Sequence, residues 1–317
     1  MAERLPREAV SASTFAALVV TITFWASAFA GIREALHGYS PFHLVVFRYA
    51  LTSAVLAGFA VPARVRLPRL RDVPALLALG FIGVTVYATT ISIGEQTVTA
   101  GVASLIVASE TIFIAILATS FLGERLTVWG WLGTLIGFAG VAVIMLSQGG
   151  TAWELDVHAL WPLASAISTS LYFVFQKPMF ARYTAYEINA YCLWFGTLFM
   201  LPFVGGLPRE MAAASWRPTV AVIFLGIFPG AVAYSTWTYA LGRAPASIVS
   251  NVLFLVPPLA IVVALVWLGE LPTFMSLVGG AVTLAGVVLV GLKGYGGLAR
   301  GLPGARSKND AGETGAG

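Results

Sequence analysis

The chain has 317 residues, 58% of them hydrophobic and only 10% charged, with a mean hydropathy of +0.88. Soluble domains carry about 25% charged residues, so a water-soluble globular protein and an intrinsically disordered one are both excluded. The net charge of +4 and pI near 9.3 would suit a nucleic-acid partner, but the basic residues sit where they orient a chain in a membrane. A single cysteine, Cys192, excludes an internal disulfide framework and a thiolate-rich metal site.

The apolar residues come in blocks of about 20, the length that crosses a hydrocarbon core of about 30 Å as a helix. The alternation of short strands that marks an outer-membrane barrel is absent. Charged, Pro and Gly interruptions divide the blocks into ten expected helices near 15–36, 42–61, 74–93, 99–121, 128–147, 158–177, 188–204, 219–241, 246–268 and 274–292. The expectation is an all-α integral membrane protein with no room for a separate soluble domain. Arg4 and Arg7 before the first block and Ala26-Ser27-Ala28 within it resemble a signal peptide. Glu3 and Glu8 cancel that charge and the apolar stretch is long, so retention is expected. Residues 1–14 read as a cytoplasmic N-terminus and 293–317 as a flexible cytoplasmic tail.

Orientation follows from Lys and Arg. With the N-terminus inside, the cytoplasmic segments collect fourteen of them, including the cluster Arg64, Arg66, Arg69 and Arg71. The outside receives Arg33, Arg209 and Arg217, while Arg48 lies within a span. Both termini are therefore expected in the cytoplasm. The basic cluster lacks interleaved aromatics that could stack bases, so it anchors against anionic lipid, not nucleic acid.

The two halves repeat at a shift of 146 residues. Leu122-Gly123-Glu124 returns as Leu268-Gly269-Glu270, Gly80 as Gly226, Gly133 as Gly279 and Gly140-Val141 as Gly286-Val287. Near the start the shift is 144, bringing Phe29 onto Phe173 and Arg33 onto Lys177. Five helices per unit is an odd number, so the second unit must enter the membrane upside down. The expected fold is thus ten transmembrane helices in two inverted five-helix repeats, 15–147 and 158–292. Such halves can exchange conformations around a midplane site.

This doubled pattern resembles the EamA-type unit of the drug/metabolite transporter superfamily. The matching features are Pro41 with Arg48, Gly80, the run Thr99-Ala100-Gly101-Val102-Ala103-Ser104, and Leu122-Gly123-Glu124-Arg125-Leu126-Thr127. The second half adds Ala246-Ser247-Ile248-Val249 through Leu268-Gly269-Glu270. Members commonly carry Glu-Pro in the middle of span 4, where this chain has Glu110-Thr111, and the second half has Pro257-Pro258 without the acid. The resemblance implies a carrier in the bacterial inner membrane that exports small metabolites, with the amino-acid exporters as the nearest branch.

Ionisable groups inside a span cost about 2.5–3.5 kcal/mol each at the helix centre. Glu110 lies midway along span 4, where it could anchor an ammonium, carry a proton or bridge helices as a neutral acid. Arg48 lies inside span 2, where it could hold a carboxylate or snorkel to the outer interface. Trp25, Tyr87, Tyr172, Tyr234 and Trp237 sit well inside their spans, away from the interfacial belts where such rings gather. They are expected to line a wet cavity, with ordinary helix packing as the alternative. Asn251 or Ser250 could donate hydrogen bonds to the carbonyls freed by Pro257-Pro258. The spacing Gly133-x-x-x-Gly137, with Gly279 and Thr283 in span 10, points to close helix packing.

No phosphate-binding Gly-x4-Gly-Lys-Ser/Thr loop exists, so ATP does not drive transport through this chain. His37 and His43 lack a third ligand nearby, and no catalytic triad can be assembled; no metal, no cofactor and no enzymatic activity are expected. The alternatives are a multidrug or nucleotide-sugar type carrier, a membrane-embedded enzyme acting on lipid intermediates, and a passive channel. A small-molecule substrate and membrane lipid are the expected partners, and ten helices suffice for a monomer.

Overall fold

The computed structural model describes residues 12–121, 127–146, 157–241, 243 and 252–293. Asn251 and Glu124 fall outside them. Among the described residues all regular structure is helical. Among the described residues seven stretches are long and apolar enough to cross a membrane: Ala12–Ala35, Pro41–Ala60, Leu70–Gly94, Ala100–Phe121, Val157–Ala181, Ala185–Val204 and Trp216–Leu241. Three shorter apolar helices follow the same composition, Val128–Ile144, Val256–Leu268 and Phe274–Val290. The chain is a multi-pass helical membrane protein.

Two long helices open the chain, α1 (Ala12–Ala35) and α2 (Pro41–Ala60). The next stretch is α3 (Val73–Gly80), a π-helical segment Phe81–Val86, and α4 (Tyr87–Gly94). Then come α5 (Ala100–Val107), α6 (Glu110–Phe121) and α7 (Val128–Leu146). The second half has α8 (Leu160–Gln176), α9 (Ala185–Met200) and a short α10 (Leu207–Ala213). It continues with α11 (Trp216–Leu225), a second π-helical segment Gly226–Ala233 and α12 (Tyr234–Leu241). It ends with α13 (Val256–Leu268) and α14 (Phe274–Lys293).

The interruptions recur at matching places. Both π segments begin at the repeated glycine, right after Gly80 and at Gly226. Pro229, lacking an N–H, lies inside the second. Carbonyls in these segments are met by side chains from neighbouring helices: Ser168 Oγ donates to Ile82 at 2.5 Å and Thr52 Oγ1 to Gly226 at 2.7 Å. The next stretch breaks at Ala108–Ser109, where Ser109 N–H reaches back to the Ile106 carbonyl and Ile112 N–H to that of Ser109. These are the tighter bonds of a 3₁₀ turn. The missing Pro after Glu110 therefore does not leave this helix straight. In the second half a 3₁₀ turn, Val252–Leu255, precedes α13, whose first positions take Pro257 and Pro258.

Packing interleaves the halves. The first helix, α1, lies against α11, α12 and α13 from the other end of the chain, while α8 lies against α4, α5 and α6. Likewise α2 packs on the second π segment and α9 on α3 and the first. Helices α7 and α14 pair with each other. A Cβ on Gly133 would lie 2.6 Å from the Gly286 carbonyl oxygen, and one on Gly140 would lie 2.6 Å from that of Gly279. Early glycine meets late and late meets early, so the two helices run antiparallel with their backbones in contact.

Gly140→Ala should therefore force these backbones apart and destabilise the protein by about 1–3 kcal/mol. Gly58 faces open space, so Gly58→Ala should be neutral or slightly stabilising. Thermal unfolding in detergent, followed by monodispersity, separates the two.

Candidate functional site

A cavity lies where the interrupted helices converge. The first half contributes Trp25 and Phe29 from α1, Arg48 from α2, Tyr87 from α4, Ser104 from α5 and Glu110 from α6. The second half contributes Thr169 and Phe173 from α8, Tyr234 from α12, and Val256 and Pro257 from α13. The walls pair across the repeat: Phe29 with Phe173, Trp25 with Thr169, Glu110 with Val256. The shape is shared between the halves; the charge is not.

The π segments explain two of the lining residues. Tyr87 and Tyr234 each occupy the first position after a π segment. The extra residue in such a segment shifts the face that the following turn presents, here turning both rings inward. The break at Ala108–Ser109 places Glu110 in the first turn of α6, where the helix dipole favours a negative group.

Arg48 is 2% exposed and does not snorkel to the surface. Its guanidinium lies 5.0 Å from the centre of the Tyr49 ring, and its Nε and Nη1 have no hydrogen-bond partner within the described protein. Glu110 is also buried, its backbone carbonyl accepting from Ser170 Oγ at 2.9 Å. Its carboxyl forms no ion pair among the described residues. The Tyr87 hydroxyl sits within electrostatic reach of both Arg48 and Glu110. One cation and one acid thus share a cavity without neutralising each other.

The aromatic residues form a continuous wall. Trp25 lies 5.2 Å from both Tyr234 and Trp237 and stacks on Phe173 at 6.4 Å, and Phe173 meets Trp237 at 5.3 Å. Of the rings singled out in sequence, Trp25, Tyr87 and Tyr234 line the cavity, and Trp237 backs them. Tyr172 faces away: it packs against Gly83 and hydrogen-bonds Cys192. Cys192 is therefore part of the core. The sequence reading passed over Ser104, Thr169 and Phe173, although the repetition of Phe29 as Phe173 at a shift of 144 was a usable signal. Among the described residues no three His, Cys, Asp or Glu gather as a metal site.

The cavity volume is about 40 Å³, room for a few water molecules and too little for a carboxylate, an ammonium and a side chain together. Arg33, at the loop end of α1, closes one face. Its Nε pairs with Glu270 Oε1 at 3.0 Å, and Glu270 Oε2 accepts from the Ala100 N–H at 3.1 Å. The Arg33 Nη1 donates to the Glu95 backbone carbonyl. The opposite face carries Arg66 paired with Glu187 at 3.1 Å, and Asp72 held by Arg182 at 2.5 Å and by the Tyr183 hydroxyl at 2.8 Å.

These features define a membrane transport protein. The chain belongs to the EamA-like transporter family, which it matches twice, over residues 12–146 and 157–292. It is 40% identical over 272 residues to the "Uncharacterized transporter YdfC" of Bacillus subtilis (strain 168), covering 86% of this chain and 89% of that one. It is also 40% identical over 275 residues to the "Probable terminal-alkyne amino-acid exporter" of Streptantibioticus cattleyicolor, covering 86% and 92%. A solved structure titled "Crystal structure of protein" superimposes with a TM-score of 0.62 at 20% identity, over 88% of this chain and 96% of that one. That likeness supports the fold.

On the Arg33 face, α10 is tied to the start of α2 through Glu210. Its Oε2 accepts from the Ser40 N–H at 2.9 Å and lies 2.9 Å from His43 Nδ1. Burial alone would raise the Glu210 carboxyl, but these hydrogen bonds hold it below the usual range. Its stabilising contribution is present above the ordinary glutamate value of about 4.3 and is lost as pH falls through the depressed one. Protection against hydrogen exchange across 205–215, taken relative to the intrinsic rate at each pH, should fall at acidic pH, and Glu210→Gln should show that lower protection already at pH 7.

Proposed function

We propose that the chain is a secondary carrier that exports small metabolites, amino acids foremost, across the bacterial inner membrane by alternating access. In this reading ten spans form two inverted five-helix repeats, 15–147 and 158–292, with both termini in the cytoplasm and the Arg33 face outward. The antiparallel pairing of α7 and α14 and the matched interruptions support the inversion. The fourteen-to-three distribution of basic residues supports the orientation. The protein works as a monomer in lipid, without metal, cofactor or nucleic acid.

One observation carries the substrate assignment: Arg48 is buried with two nitrogens unpartnered, in the same cavity as Glu110. A buried cation with no partner costs several kcal/mol, on the order of 3–5. A substrate carboxylate recovers that energy with a charge-assisted hydrogen bond. Glu110 receives the substrate ammonium, and Trp25, Tyr87, Tyr234 and Phe173 surround the side chain. The contracted cavity must widen to admit such a molecule, which is the motion alternating access requires. The similarity to a protein named as a probable amino-acid exporter points the same way.

Counterflow in proteoliposomes is the test. Wild-type protein should accumulate at least one radiolabelled amino acid saturably, and Arg48→Gln should reduce uptake at least tenfold with insertion unchanged. Glu110→Gln should weaken zwitterionic substrates more than simple carboxylates. A full amino-acid panel with no accumulation overturns the amino-acid assignment. Retained uptake of amphipathic cations in Arg48→Gln, with loss in Glu110→Gln, identifies a multidrug carrier instead.

A further inference from the structure

The Arg33 face is closed by charges that do not match one another in number. Arg33 spends its Nε on Glu270 and its Nη1 on the backbone carbonyl of Glu95. The Glu95 side chain is left out. It is 0% exposed, and neither carboxyl oxygen has a hydrogen-bond partner in the described protein. The charged groups facing it are Arg33 on α1, Arg48 on α2 and Glu270 beyond α13, with the Tyr87 hydroxyl on its own helix α4. A carboxylate without water or a hydrogen bond is heavily disfavoured in such a place, so this packing holds the neutral acid. Burial is the larger influence and pushes the Glu95 carboxyl well above the usual range; Arg33 and Arg48 oppose it and Glu270 reinforces it.

The repeat does not account for this acid. At the 146-residue shift Glu270 falls on Glu124, but Glu95 falls on Leu241. One face of the molecule therefore has a buried carboxyl that its pseudosymmetric partner lacks.

We propose that Glu95 is a proton-binding site, taking one proton from the water on the Arg33 side as that face closes and returning it when the face opens. The proposal rests on the alternating-access reading above. On closure an O–H bond forms on the Glu95 carboxylate and a hydronium ion becomes water; no other group changes protonation. On opening, water reaches Glu95, the Arg33–Glu270 pair separates, and Arg33 becomes free to meet the ionised acid. The closed face is thus favoured at low pH and is lost as pH rises through the closed-state pKa of Glu95. For one proton the closed-to-open ratio changes at most tenfold per pH unit.

Pulsed electron resonance distances test this on the full chain in lipid nanodiscs, with Cys192→Ser as background. Spin labels go at His37→Cys and Leu271→Cys, exposed positions near Arg33 and Glu270. Wild type should move from a short to a long distance as pH rises from 5 to 9. Glu95→Gln, which keeps the shape and cannot ionise, should stay short throughout. Glu270→Gln frees Arg33 for Glu95 and should move the transition to lower pH. A wild-type transition retained in Glu95→Gln, or two distances whose ratio ignores pH, overturns the proton site. If Glu95→Gln does not purify as a monodisperse protein, Glu270→Gln decides alone, and an unmoved transition overturns the proposal. A single wild-type distance at every pH and with every amino acid overturns alternating access itself.

Discussion

Hydrocarbon offers no partner to a bare N–H or C=O, and the main helix interruptions among the described residues answer to that constraint. The two π segments and the two mid-span breaks lie where another helix supplies a hydroxyl or where a polar cavity lies alongside. Ser168 meets the first π segment and Thr52 the second. The break before Glu110 and the turn before Pro257 open onto the cavity itself. The interruptions sit together where their freed carbonyls find partners inside the bundle. Their convergence at the repeat centre makes a site out of a bundle.

Within that site, charge is used sparingly and unevenly. A guanidinium and a carboxyl sit in one aromatic-walled space without pairing, and Val256 takes the place that Glu110 holds in the other half. The duplicated backbone supplies similar walls on both sides, while single substitutions set the charge those walls carry. The two closing faces differ in the same manner. Arg33, Glu270 and the Ala100 N–H form a small network on one, and Arg66, Asp72, Arg182 and Glu187 form ion pairs on the other.

Much of the architecture was legible because membrane insertion is a matter of length and hydropathy. The helix positions and the repeated glycines needed no more than counting. Arg48, Glu110, Trp25, Tyr87 and Tyr234 stood out because polar and amphipathic groups at mid-span are expensive, and the structure gathers all five at one cavity. Helical phase was harder to read. When every face of a helix is apolar, no periodic stripe reports which way a residue points. Tyr172 and Phe173 are neighbours in sequence, yet only Phe173 reaches the cavity. The π segments leave no compositional mark, since one added residue in a turn looks like any other. Glu95 was passed over because an acid at the end of a span reads as a solvated loop residue, and burial there depends on Arg33 and Glu270 arriving from distant parts of the chain.

The interleaved packing has a consequence for biosynthesis. Helix α1 finds its neighbours in α11 to α13, and Arg33 meets Glu270 across 237 residues. At about 5–20 residues per second, the ribosome needs roughly 10–50 s to deliver that partner after α1 has emerged. Throughout that interval the Arg33 Nε must wait without its acid, although the Glu95 carbonyl that meets Nη1 arrives after only 62 residues. Completion of that face is therefore an end-of-translation event, and a polypeptide cut short before Glu270 would leave the opening helix without the acid that its Arg33 Nε meets.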